Sequence, residues 1–191
     1  MGPAVAIKSM SVEEYFSFED ASQTKHEYIG GEVFAMAGAD FPHNQVSSNA
    51  QGLLWQFLRD KTCRVYGSDL KVNVQTESAF VYPDLTIVCD TPKFSEGRKG
   101  IVTNPSVIIE VLSPDTEAYD RGKKFMLYRQ IESLREYLLI SSTETQVERF
   151  KKNSSGTWTM KEYSSLSETL LIETISFEIA LAELYRDVFP K

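Results

Sequence analysis

Hydrophobic and polar positions alternate along this chain in patterns that change character several times. Ser11 followed by Glu14 forms a capping box and predicts a short helix over residues 12–18. Two strand-like runs then flank Gly30-Gly31 within residues 25–36, the pattern of a tight hairpin. Residues 38–44 read as a loop. Over residues 44–60, Val46, Ala50, Leu53, Leu54, Phe57 and Leu58 recur at helical spacing and predict an amphipathic helix. Residues 64–66 and 70–75 read as strands, with Leu70, Val72 and Val74 alternating against polar neighbours. Residues 80–89 are a β-prone run containing Pro83, and residues 91–105 read as a loop rich in Pro, Gly and charge. Residues 106–112 are almost continuously apolar, which predicts a strand covered on both faces. A helix over 117–131 and a core strand over 136–140 follow. The stretches 147–150, 158–163 and 169–172 predict antiparallel strands, and a short helix around 181–185 closes the pattern.

Strand, long connection, strand, helix, strand is an α/β alternation. The chain has 191 residues and no repeat or low-complexity linker, so one domain over 1–191 is expected. Hydrophobic residues make up 42% and charged residues 25%, which excludes the disordered class. Cys63 and Cys89 fit neither a disulfide framework nor a zinc site and read as reduced apolar side chains. Met1 to Ala6 lack the basic start and apolar run of a signal peptide, and the myristoylation pattern is incomplete at Ala6. No apolar stretch approaches a membrane span, so a cytoplasmic protein without membrane association is expected. The net charge of −7 disfavours nonspecific nucleic-acid binding driven by bulk charge. A local basic patch or a bound divalent cation changes the field at one site without changing that total.

Two carboxylates have surroundings unlike those of surface acids. Asp84 sits within Val81-Tyr82-Pro83-Asp84-Leu85-Thr86-Ile87-Val88, and Glu110 within Val107-Ile108-Ile109-Glu110-Val111-Leu112. Strand alternation puts Glu110 on one face with Ile108 and Leu112. A buried carboxylate needs a cation, a metal or a hydrogen-bond network to stay charged. Asp120, Lys124 and Tyr128, spaced four apart on the next helix, could supply the cation. Two hard oxygen donors beside an ammonium group describe a magnesium site for phosphodiester hydrolysis, in which the metal lowers the pKa of the attacking water. Lys124 would then orient that water or stabilise transition-state charge. The spacing equally allows a surface ion pair between Asp120 and Lys124, and a strand kink at Pro83-Asp84. Glu110 in its apolar run is the hardest to explain without a partner.

The ordered set Pro83-Asp84, Pro105-x4-Glu110-Val111-Leu112-Ser113-Pro114, Asp120-Arg121-x2-Lys124-x3-Tyr128 and Glu136-Tyr137 resembles the Uma-two family of bacterial restriction endonucleases, within the PD-(D/E)-x-K nuclease superfamily. The resemblance runs from about Ser11 to Val188 and includes Gly31-Glu32 and His43. It implies a mixed α/β (α+β) sheet with a restriction-endonuclease-like core, flanking helices and additional antiparallel strands, the metal lying where two central strands diverge. It implies that Asp84 and Glu110 bind Mg2+ (or Mn2+), and that Glu32 completes the acid set. Leu112 occupies the position where the superfamily carries its lysine, and the resemblance moves that role to Lys124. Lys123 sits about 100° further round a helix and ranks second. His43, Arg121, Lys123 and Tyr128 are candidate substrate contacts. The alternatives are an exposed turn residue for Glu32, a helix-flanking polar residue for His43, a solvated face for Arg121 and Lys123, and a core aromatic for Tyr128.

No nucleophile elbow, phosphate-binding P-loop or His-Glu-x-x-His motif is present. The expected function is a metal-dependent endonuclease acting on DNA, as a homodimer because cutting two strands suits two-fold symmetry. The alternative is a catalytically inactive module of the same fold that binds DNA or protein. A third possibility is an oligomeric interaction protein using Phe41, Trp55 and Trp158 as exposed aromatics.

Overall fold

The structure, a computed structural model, describes residues 7–36, 38–74 and 78–189. It begins with strand β1 (Lys8–Ser9) and helix α1 (Val12–Ala21). The Glu14 amide donates to Ser11 Oγ at 3.2 Å and the Ser11 amide to the Glu14 carboxylate at 2.8 Å, so the capping box forms. The hairpin follows as β2 (His26–Ile29) and β3 (Glu32–Ala35). Gly30 and Gly31 take φ of 57° and 98°, backbone that side chains resist. Helix α2 (Phe41–Leu58) starts before residue 44 because Asp40 caps it, accepting from the His43 amide at 3.1 Å, and Pro42 suits its first turn.

Strands β4 (Arg64–Gly67) and β5 (Lys71–Val74) match the expected strands, while Gln75 lies outside the described residues, as do Met1 to Ala6. The β-prone run of 80–89 divides at Pro83 into β6 (Ala79–Val81) and β7 (Leu85–Val88), which belong to different sheets. Proline cannot donate to a ladder, so Tyr82-Pro83-Asp84 becomes the crossing between them. The expected loop over 91–105 instead carries a small hairpin, β8 (Phe94–Ser95) and β9 (Arg98–Val102), turning at Gly97. Short strands holding Arg98 and Lys99 escape a reading based on apolar alternation.

Strand β10 (Val107–Leu112) leads into a helical crossover: α3 (Glu117–Tyr119), a π-helical turn over Asp120–Lys124, and α4 (Phe125–Tyr128). Sequence alone predicts one regular helix to residue 131 here. The remaining elements are β11 (Glu136–Ser141), β12 (Val147–Lys152), β13 (Trp158–Tyr163), β14 (Thr169–Ile172), β15 (Phe177–Ala180) and α5 (Leu181–Leu184).

Among the described residues one sheet runs β1-β3-β2-β6-β5-β9-β8, a second runs β13-β12-β11-β10-β7-β4, and β14-β15 form a ribbon. The crossover joins parallel neighbours β10 and β11, while β10 meets β7 antiparallel. Val107, Ile109 and Val111 cluster with Val46, Ala50, Leu54 and Leu58 of α2. Ile108 and Leu112 cluster instead with Leu127, Tyr128 and, from the first sheet, Val81. The apolar run of β10 is therefore covered on both faces. Glu110 shares the second face, between the crossover and the first sheet. A third cluster of Met10, Tyr15, Tyr28, Val33 and Phe80 fastens α1 to the hairpin.

Two expectations are corrected. Cys63 and Cys89 are joined by a disulfide, because the β4–β7 ladder pairs Arg64 with Val88 and brings the flanking cysteines opposite each other, Cα atoms 3.8 Å apart. That proximity comes from strand pairing and is invisible in a spacing of 26 residues. Trp158 is half-buried and lies edge-on to Phe125 at 5.5 Å, whereas Phe41 and Trp55 are exposed as expected. No helix among the described residues is long and apolar enough to cross a membrane.

Candidate functional site

The β7–β10 ladder ends at the pair Leu85–Ile109. One step further Asp84 lies level with Glu110, and side chains replace the backbone rungs. The Asp84 amide donates to Glu110 Oε2 at 3.2 Å, and the Val111 amide donates to Asp84 Oδ2 at 2.7 Å. Pro83 prevents β7 from continuing, so both acids are held at the point where the strands part.

Lys124 enters from the crossover. Its Nζ lies 3.1 Å from Glu110 Oε1, 3.3 Å from Glu27 Oε1 and 3.4 Å from Asp120 Oδ1. Tyr128 donates its hydroxyl to Glu110 Oε1 at 2.6 Å. In an α-helix, residues four apart drift by about 40° around the axis. A π turn has more residues per turn and drifts the other way, so the offsets cancel across Asp120, Lys124 and Tyr128. The irregular crossover thus aims all three at the strand ends.

The cluster holds more acid than base. Burial pushes the Glu110 carboxyl well above its usual range; Lys124 opposes this, and Asp120 and Asp84 add to it. Burial likewise raises Asp120. Burial works against charge on Lys124, yet Glu110 and Glu27 hold its pKa well above that of an ordinary lysine. His43 stands in the first turn of α2 with Nε2 3.5 Å from Asp84 Oδ2. Burial disfavours its protonation, but the Asp84 and Asp40 carboxylates outweigh that and raise its pKa.

Of the residues singled out from sequence, Asp84, Glu110, Lys124, Tyr128 and His43 come together. Tyr128 is fully buried and its hydroxyl is engaged with Glu110. Glu32 is exposed at the start of β3, paired with Ile29 and Ser9, and makes no bond to this cluster. Arg121 is engaged by Glu117 at 2.8 Å and by Glu148. Lys123 is exposed with its amine 5.2 Å above the Phe34 ring.

The donor chemistry suits a hard, hydrated cation. Among the described residues no three His, Cys, Asp or Glu side chains are gathered to hold a metal ion. Asp84 and Glu110 are the two acids that could hold such an ion, with water supplying the other ligands, as magnesium commonly binds. Asp84 Oδ1 takes no hydrogen bond from the described residues, and its side chain is 20% exposed, so one acid keeps a lone pair open to solvent. Excess carboxylate around one ammonium is the charge imbalance that a divalent cation relieves.

Residues 12–182 match the model of the Uma2 family, described as "Putative restriction endonuclease". This chain belongs to the Uma2 family. Two Synechocystis sp. proteins are similar over most of its length. One, slr1290, is 35% identical, covering 96% of this chain and 95% of its own; sll1609 is 34% identical, covering 81% and 88%. The fold resembles a crystal structure from Anabaena variabilis ATCC 29413 described as "a putative nuclease belonging to DUF820", with TM-score 0.78 at 14% identity, covering 94% of this chain and 99% of that one. The expected family and the mixed α/β, restriction-endonuclease-like fold are thereby borne out.

In this Uma2 chain, sequence reasoning missed one acid of the cluster. Glu27 lies among His26, Tyr28 and Ile29, and in a hairpin it reads as one more polar position; the structure leaves it 5% exposed. Asp120, which the spacing allows either on the site face with Lys124 or as its surface partner, is 3% exposed. The π turn carries no sequence signal that helical periodicity would register.

Proposed function

We propose that this Uma2 protein is a magnesium- or manganese-dependent endonuclease acting on DNA. The observation that carries the reading is the pairing of Asp84 and Glu110 where β7 and β10 separate, with the Lys124 ammonium 3.1 Å from Glu110. Asp84 and Glu110 would hold the ion. When bound, it supplies Lewis acidity toward a phosphodiester oxygen and lowers the pKa of a coordinated water. Lys124 places a fixed positive charge beside the acids, suited to stabilising negative charge that builds on phosphate. Tyr128 keeps Glu110 in one orientation, and His43 does the same for Asp84. The half-open Asp84 side provides the approach for substrate.

The test is cleavage of supercoiled plasmid in Mg2+ or Mn2+ by wild type, Asp84→Ala and Glu110→Ala. Loss of nicking in both variants is expected; equal cleavage by all three overturns these roles. A homodimer, with one site for each strand, goes with this function, and sedimentation equilibrium reads it directly.

The saturated Glu110 carboxylate and the net charge of −7 favour a second reading, a non-catalytic module that binds DNA or protein. Isothermal titration with Mn2+ separates the two, since absence of binding near millimolar concentration favours the non-catalytic module.

A further inference from the structure

We propose that Glu27 is a positioning residue, a clamp from the hairpin that fixes Lys124 against Glu110 and Asp84. The catalytic consequence rests on the nuclease reading, while the geometry stands without it. Three carboxylates touch the Lys124 amine, and they differ in what they can fix. Asp120 lies four residues away on the same crossover and moves with the lysine. Glu110 is the group to be served. Glu27 alone comes from the other sheet, on β2, which is paired on both sides by β3 and β6.

A single oxygen of Glu27 does two jobs. Oε1 accepts from the Tyr82 amide at 3.1 Å and faces Lys124 Nζ at 3.3 Å. Tyr82 immediately precedes Pro83-Asp84. Glu27 therefore ties the bend that carries Asp84 to the crossover that carries Lys124, two elements with no ladder between them. Packing gives no reason for an acid there. The next residue on the same face, Ile29, belongs to the apolar cluster beneath the site. An aliphatic side chain would fill the place without the desolvation cost of a buried carboxylate. Among the described residues the only ion pair recorded for Glu27 is with Lys124. A charge kept at that cost, on that oxygen, serves to hold the amine.

Glu27→Gln tests this, since glutamine keeps the volume and an acceptor for the Tyr82 amide while removing the charge. The first readout needs no catalysis: acylation of lysines in the whole folded chain by a succinimidyl ester, with Lys124 labelling measured by peptide mass spectrometry against its exposed neighbour Lys123. The expected result is a severalfold rise in the Lys124-to-Lys123 ratio with a cooperative melt retained. An unchanged ratio overturns the proposal, whether or not the protein cuts DNA. Should Glu27→Gln fail to melt cooperatively, the same ratio is read on Glu27→Asp, which keeps the charge but withdraws it by one methylene; no rise there also overturns it. The second readout is cleavage. A displaced amine is expected to lower kcat by roughly 10–100-fold, with KM for DNA and Mn2+ affinity nearly unchanged and partial recovery in Glu27→Asp. A raised ratio with undiminished kcat removes the catalytic role of the clamp. A raised ratio in a protein whose wild type never cuts leaves the clamp standing and removes the nuclease reading.

Discussion

Removing the Tyr128 hydroxyl takes away one of the three donors that meet Glu110, the others being Lys124 and the Asp84 amide. Tyr128 and Glu110 are both buried, so the loss leaves Glu110 Oε1 short of a donor. Tyr128→Phe is therefore expected to lower unfolding free energy by about 1–3 kcal/mol in urea titration; an unshifted midpoint would place the hydroxyl outside the network. Glu19 makes a different prediction. Burial alone would raise its pKa, but the Tyr82 hydroxyl at 2.8 Å, the His26 amide at 3.2 Å and the Lys71 amine at 3.4 Å leave it lowered. The folded value lies below the unfolded one, about 4.3, so the stabilisation is complete above that pH and disappears as pH falls through the folded value. Melting temperature should fall on acidification below about 4.3 more steeply in wild type than in Glu19→Gln, and parallel profiles would contradict the assignment. At this scale the sequence exposes an acid only when its neighbours are plainly apolar. Glu110 stands out in Val107-Ile108-Ile109 for that reason. Glu27 does not, because its burial depends on a second sheet that no local pattern announces.

The crossover is the element on which the cluster depends. Its π turn contains Gly122, where an added Cβ would meet nothing within 4 Å. Gly122→Ala should stabilise the fold by about 0.4–1 kcal/mol through the unfolded chain; a loss of stability would mean that the turn needs glycine. The β4–β7 pair is held by the Cys63–Cys89 disulfide, which closes a loop of 26 residues next to the strand that begins after Asp84. Replacing both cysteines by serine is expected to cost about 2–4 kcal/mol, read as a lower urea midpoint under non-reducing conditions. Elements with strong periodicity were legible: α2, β10 and the Gly30-Gly31 hairpin. The pair β8 and β9, the strand β15 and the π turn were not. Two are too short or too charged to show alternation, and the third differs from an α-helix only in its hydrogen-bond spacing.

For the molecule as a whole, the α/β alternation predicted the class of fold but not how strands 80–89 divide between two sheets, because strand order is set by long-range pairing. A net charge of −7 leaves little general attraction for DNA. Under the proposed metal-dependent reading, chelation by EDTA should abolish cleavage and weaken DNA retention in a gel-shift assay together, with Ca2+ restoring retention alone; retention indifferent to divalent ions would contradict a metal-centred contact. The constellation straddles a seam, since Glu27 belongs to one sheet and Glu110 to the other. Were the hairpin to peel from β6, the lysine would lose one anchor while the strand acids stayed in place. The clock for that event is amide exchange at Tyr28 and Ile29. A protein whose hairpin opens often would spend that share of its time with a loosened amine, however firmly the rest of the molecule stays folded.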